Sequence, residues 1–490
     1  MASLMSLSNE LKLLIIEQIP RGPPSRTWDS SRGNGEEDGK MSHVEGGKNE
    51  EATQEKISPS KRAETEKVPP DHIPYITRAL LALSCVNKAF RVLTVPYIFP
   101  IIVLHNSEKS GASVKLLANG PYSQLIRKIE YVGYVPLPPS QSEGGISVRE
   151  REKDTYVPRA ENFPAPVRYV LENLRMFKKL EGISVEFSFG EDFDVYHVEN
   201  VESREDILKN EAELGWRAMM RDTYVAIARN HPWRLRSLEI KNMITKECSS
   251  WDTDVWREVL RNLESFSVRF HPGDNRVGLS IGTFDGYHSF IPTYFSNLLP
   301  NLTSVSHLSI AGSMHGPLGD GLAEINVADI FGSEAEAESL PQLPSLRSLE
   351  LDYIFIGSHF APFLKAHAST LQSVSLTNSY LCISGIGELE YRVATWEEFF
   401  DALLETEPLF PHLQTFYIDE KDGRTEWKDG DNVVVERRLA QACMDDRTGH
   451  IFMDDDYHQR NEEMWRANRK AYEAFMMVVE RNKKGNIGLA

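Results

Sequence analysis

The sequence predicts a mixed α/β protein: a small all-α module, an irregular array of strand–helix units, and a closing helix. Three observations predict it. Apolar residues fall at helical spacing through 80–93. Eight apolar triplets spaced L-x-x-L-x-L run from 126 to 418, most of them preceded by a helical stretch. Residues 457–481 carry one wide apolar stripe at intervals of three and four.

Composition bounds the rest. At 490 residues, 41% hydrophobic and 26% charged, the chain reads as globular and long enough for two or three domains. Its 54 Lys and Arg against 72 Asp and Glu leave a net charge of −18. Such a surface repels phosphate backbones, so nucleic acid is not expected as a partner. The four cysteines, at 85, 248, 382 and 443, form no close pair. They read as small hydrophobes in a reducing compartment, cytoplasmic or nuclear. The Leu11–Ile19 run is short and holds Lys12 and Glu17. It is read as neither a signal peptide nor a membrane span, and no membrane partner is expected.

Residues 1–20 give a first helix, with Leu7 before the cap, Leu11 and Ile15 on its apolar face and Pro20 at its end. Residues 21–70, rich in Gly, Ser, Glu and Lys, cannot bury enough apolar surface to offset backbone ordering and predict a disordered insert. Residues 71–104 resume the helical module. Apolar positions 80, 83, 86, 90 and 93 predict two short helices, broken near Ser84 and restarted at Asn87, a good N-cap. Such a corner exposes more aliphatic surface than it can cover by itself.

Together, Leu7–Pro20 and Leu80–Arg91 resemble an F-box, and the second piece resembles those of fungal F-box proteins especially closely. Ser8 stands where the family usually has proline, Phe90 where many members have Trp, and the two pieces are separated by residues 21–70. The resemblance implies binding to a Skp-family adaptor and, through it, to a cullin in an SCF-type ubiquitin ligase. It places Leu7, Leu11, Ile15, Leu83, Val86 and Phe90 on the adaptor-binding face or in the core just beneath it, with both roles open.

From 105 to 440 the triplets organise the chain. They are Ile126/Ile129/Tyr131, Leu180/Ile183/Val185, Leu235/Leu238/Ile240, Leu263/Phe266/Val268, Val305/Leu308/Ile310, Leu346/Leu349/Leu351, Leu371/Val374/Leu376 and Leu413/Phe416/Ile418. The last two members of each alternate as a strand does. Helices are predicted over Pro166–Phe177, Trp216–Asn230, Val255–Leu263, Phe360–His367 and Trp396–Leu404. Strand–helix units of this kind are similar to a leucine-rich-repeat solenoid, although the starts lie 25 to 55 residues apart. Asn242 and Asn378, two residues past Ile240 and Leu376, best match the repeat's asparagine. Pro138–Pro166 reads as a loop insertion.

Residues 441–490 are expected to be an acidic segment and a helix over Tyr457–Arg481, with Asp454–Asp456 at its N-terminus and Gly485 at its end. Asn468 alone is polar in its stripe. The helix is predicted to fold back and cap the array.

Catalytic signatures are weak. Gly316–Gly321 lacks the Lys and Ser/Thr of a phosphate loop and reads as a connection between units. No G-x-S-x-G or H-E-x-x-H occurs, and no metal or cofactor is expected. The resemblance therefore implies a substrate receptor rather than an enzyme, with the repeat domain holding an unidentified target protein. The rivals are an F-box scaffold outside any ligase and an α/β hydrolase-like enzyme with dispersed catalytic residues.

Overall fold

The computed structural model describes residues 75–135, 163–189, 201–230, 235–271, 285–313, 316, 318–319, 343–357, 360–382, 395–405, 409–418, 425–429, 432–436, 439, 441–444, 451–453 and 462–487. The first helix with Leu7, Leu11 and Ile15, the 21–70 insert, most of the Pro138–Pro166 loop and Asp454–Asp456 lie outside the described residues. The chain forms two compact units, Met1–Pro100 and Ile101–Ala490. Its fold is mixed α/β, with a large parallel sheet and, among the described residues, eleven α-helices.

In the first unit, α1 (Tyr75–Val86) and α2 (Lys88–Ile98) meet at Asn87. Asn87 is extended (φ −166°), and its side-chain oxygen accepts the Phe90 N–H at 3.0 Å. The break therefore comes at Asn87 and not near Ser84, which stays inside α1 and lends its carbonyl to Arg91 Nε at 3.4 Å. The expected cap is in place and the expected break point moves by a turn. Leu80, Phe90, Thr94 and Val95 are buried.

The second unit begins with β1 (Ile101–His105), α3 (Glu108–Ala118) and β2 (Lys128–Val135). Then come α4 (Ala165–Glu172), β3 (Gly182–Phe189), α5 (Arg204–Glu213), α6 (Gly215–Ala228) and β4 (Ser237–Met243). They are followed by α7 (Asp254–Arg261), β5 (Ser265–Phe270), α8 (Asp285–Leu298), β6 (His307–Ala311), β7 (Leu318–Gly319), β8 (Ser348–Asp352) and β9 (Ile354–Ile356). The chain continues through α9 (Phe360–Ala366), β10 (Ser373–Thr377), β11 (Tyr380–Cys382), α10 (Trp396–Leu404) and β12 (Thr415–Ile418). It ends with β13 (Thr425–Asp429), β14 (Asn432–Glu436), β15 (Gln441–Met444), β16 (Ile451–Met453) and α11 (Glu462–Ile487).

Nine strands form one sheet in the order β1-β2-β3-β4-β5-β6-β8-β10-β12, each parallel to its neighbours. All eight predicted triplets feed it, in register. Ile129, Ile183, Leu238, Phe266, Leu308, Leu349, Val374 and Phe416 share one row, and every triplet residue is buried. The buried rows face the helices: Tyr224 of α6 packs edge-on against Phe187 of β3, and Phe295 of α8 lies tilted against Phe270 of β5. β1 was not foreseen. It starts at Ile101, so the sheet begins inside the span assigned to the helical module rather than at 105.

The strands are entered in a uniform way. The Arg127 carbonyl accepts both Glu181 N–H and Gly182 N–H, at 2.8 and 3.1 Å. The carbonyls of Glu181, Arg236, Glu264, Ser306, Arg347 and Gln372 repeat this arrangement toward the two residues that open the next strand. Exits also recur. Asn242, Tyr353 and Asn378 take positive φ, of 50°, 54° and 44°, each two residues past the last residue of its triplet, Ile240, Leu351 and Leu376. Asparagine tolerates this left-handed conformation, which tyrosine rarely adopts. Asn378 Nδ2 donates to Asp352 at 2.7 Å and Asn242 Nδ2 to Glu186 at 3.2 Å, both acids lying on the preceding strand.

Beyond these corners lies a second sheet, β16-β15-β11-β9-β7, which the sequence did not reveal. Gly319 of β7 has φ +104°, and a Cβ there would stand 2.1 Å from the Phe355 carbonyl oxygen. Within the glycine-rich 316–321 stretch, read as a connection, Leu318–Gly319 forms a strand parallel to β9. The span read only as acidic and turn-rich holds the hairpin β13–β14 and strands β15 and β16.

α11 is described from Glu462 and runs through Gly485 to Ile487, so Gly485 does not end it; the expected start at Tyr457 lies outside the described residues. It lies on α10 and β12. Phe475 is buried against Phe416 (5.0 Å between ring centroids), Phe400 (5.7 Å) and Phe410 (5.9 Å). Asn468 is buried with Ala471, Phe475 and Val479, and it accepts the Glu397 N–H at 2.8 Å. That N–H is one of the donors a helix N-terminus leaves unpaired. Further along, Asn482 Nδ2 donates to the carbonyls of Phe410 (2.8 Å) and Leu413 (3.2 Å).

Candidate interaction surfaces

The predicted residues of the α1–α2 corner differ in exposure. Phe90 is 1% exposed and belongs to the core. Leu83 is half-buried. Val86, last in α1, is 58% exposed. Cys85 beside it is exposed as well, whereas Cys248 is buried, and burial pushes its thiol up to about 12. Val92, which the sequence did not single out, is 72% exposed because it lies off the 80/83/86/90/93 stripe. The corner thus combines exposed aliphatic side chains with a buried aromatic.

The second surface is the face of the nine-stranded sheet away from its buried rows. At one end, Lys128 Nζ lies 2.8 Å from Glu239 and 3.5 Å from Glu130, and Lys241 lies 3.8 Å from Glu239. Burial works against the charge of Lys128, but the hydrogen bond and charge of Glu239 outweigh it and hold the pKa above its ordinary value. Glu239 answers in kind: burial pushes its carboxyl up, and Lys128 brings it below the usual range. Further across, Ser265, Ser267, Ser309, Ser348, Ser373 and Ser375 line the face. Exposed Glu350 sits in register between Ser309 and Ser375. Asp352 is engaged by Arg269 (3.2 Å) and Thr377 (3.1 Å). Tyr417 on the last strand is half-exposed. Small hydroxyl side chains thus recur over several strands of this face.

Among the described residues, no three or more His, Cys, Asp or Glu side chains are grouped to hold a metal ion, and no helix is long and apolar enough to cross a membrane. Compared with known proteins, the chain matches no family model and is similar in sequence to no curated protein.

Proposed function

We propose that this protein is the substrate-recognition subunit of an SCF-type ubiquitin ligase. The α1–α2 unit binds a Skp-family adaptor, which brings the cullin, and the sheet domain holds the protein to be modified. One observation carries the reading: a separately compact helical unit ends α1 in exposed Val86 directly before the Asn87 cap and buried Phe90, in the sequence context that resembles an F-box. The chain-order parallel sheet, with its repeated strand entries, supports a leucine-rich-repeat-like solenoid as the target-binding half. In this reading Val86 touches the adaptor and Phe90 supports the surface from below.

The test is capture of the full chain by a purified Skp-family adaptor, then by adaptor plus cullin. Val86→Asp puts an unpaired charge in a desolvated contact and is expected to weaken capture at least tenfold, with the melting temperature unchanged because the site is open to water. Full capture by a folded Val86→Asp chain defeats the adaptor assignment. Capture of adaptor without cullin favours a scaffold acting outside a ligase.

A further inference from the structure

The outer side of α2 is apolar where a surface helix is ordinarily charged. Phe90 and Thr94 turn into the core of the helical unit. Ala89, Val92 and Pro96, at i, i+3 and i+7, share a different face, and all three are exposed. Val92, at 72% exposure, is the most open large apolar side chain among the described residues of the unit. α1 runs into the corner in the same way, with Ala82, Cys85 and Val86 exposed at i, i+3 and i+4. Both helices therefore carry apolar side chains on the side that their own packing leaves in water.

The charges beside this face are of one sign. From Tyr75 to Pro100 the sequence holds Arg78, Lys88 and Arg91 and no Asp or Glu, in a chain whose net charge is −18. Lys88 and Arg91 are exposed and, at i and i+3, run along one border of the stripe. Arg91 Nε donates to the Ser84 carbonyl at 3.4 Å, and neither cation forms an ion pair among the described residues. In the sheet unit, by contrast, exposed Arg127, Arg204 and Arg261 each face a carboxylate, of Glu181, Asp252 and Glu258. Apolar side chains at the centre with charge at the rim is the layout of a protein interface. A nucleic acid engages cations first and leaves such a stripe unused.

We infer, resting on the adaptor assignment above, that the outer face of α2 from Ala89 through Val92 to Pro96 belongs to the adaptor contact, and that the adaptor covers it with an apolar surface bordered by carboxylates. The contact thus extends from the Val86 corner along the second helix. Val92 is its anchor, because it is the largest side chain of the stripe to leave water on binding. Lys88 and Arg91 lack acidic partners within their own unit and set the sign of the border they meet. They act on encounter and register more than on the strength of the closed complex.

The experiment measures the affinity of the full chain for a purified Skp-family adaptor, with melting temperatures as the check on folding. Val92→Asp puts a carboxylate into the apolar centre and beside the acidic border, and should weaken binding at least about tenfold. Val92→Lys breaks the same packing but suits the border, and should lose less. Both should melt as the wild-type chain does, because Val92 is open to water. Raising sodium chloride from about 50 to about 500 mM should weaken wild-type binding about threefold, and the double variant Lys88→Gln, Arg91→Gln should lose most of that dependence. A wild-type chain that the adaptor does not bind removes the adaptor assignment and this inference together. Full affinity in a folded Val92→Asp chain overturns the inference alone and leaves the contact at Val86. Equal losses in Val92→Asp and Val92→Lys overturn the acidic border. So does a salt dependence that survives in the double variant, which decides the matter even where Val92→Asp does not fold.

Discussion

The same kind of apolar spacing has different outcomes in the two units. In the sheet, every residue of the eight triplets is buried, from Ile126 to Ile418. At the helical corner, an equally regular stripe gives a buried Phe90, a half-buried Leu83 and a largely exposed Val86. The difference lies in who supplies the cover. A parallel strand here has covalently linked neighbours on both sides and a helix across its buried face, so alternation alone decides which side chains leave water. Two short helices define a face but not the body that covers it.

The comparison can be pressed where the chain provides its own cover last. Ending the chain before Glu462 removes the Phe475 contacts and bares Phe400, Phe410 and Phe416. Burial of each large apolar side chain is worth about 1.5–3 kcal/mol. The shortened chain should therefore aggregate or melt far below the full one, as light scattering and calorimetry would show. An unchanged melting temperature would mean that α11 is not needed as a cap.

A matched pair of truncations sharpens the contrast. Leu308→Ala, in the buried row of β6, should cost about 2–5 kcal/mol in urea unfolding, because Leu308 is almost fully buried. Val86→Ala should cost less than about 0.5 kcal/mol, because Val86 is open to water. Equal losses at the two sites would show that the corner is covered as the sheet is.

The smallest effect expected is one of pH. His367 is buried, accepts the Leu343 N–H through Nε2 at 3.0 Å and donates from Nδ1 to the Phe363 carbonyl at 2.8 Å. Burial holds its pKa below the ordinary imidazole value, the bond to Phe363 opposing only in part. The unfolded chain therefore takes the proton more readily. Stability from the neutral ring is complete above about pH 6.5 and falls as the pH drops through that value toward the lower folded-state pKa. Urea melts at pH 7.5 and 5.0 should show a smaller acid loss in His367→Gln than in the wild-type chain. Identical losses would remove His367 from the account.

How much was legible follows the same physics. The eight strands could be read because each alternates over enough residues to fix a face, and Trp396–Leu404 because an N-cap and a glutamate three residues on mark its start. β1 was hidden because its apolar run continues directly from the end of α2. β7, β9 and β11 have two or three residues each, too few to show a period. The left-handed Tyr353 has no local signature, whereas Asn242 and Asn378 did. At the corner, spacing identified Leu83, Val86 and Phe90 as a group but could not order them by exposure. The buried Arg217 of α6 went unnoticed because one charge in an amphipathic helix reads as its solvated face; only packing shows that this one points inward.

The repeated strand entry has a consequence for how such a chain tolerates change. Because one carbonyl of each strand's approach receives the two N–H groups that open the next, the spacing between strands is gauged locally, by a contact of fixed size. The length of the excursion between those two points carries no information about pitch. That is why excursions as unlike as the one from Arg236 to Glu264 and the one from Glu181 to Arg236 deliver their strands to the same register. Peptide spliced into an excursion leaves the gauge untouched, whereas a proline at either donor position, such as Glu264 or Ser265, removes half of it.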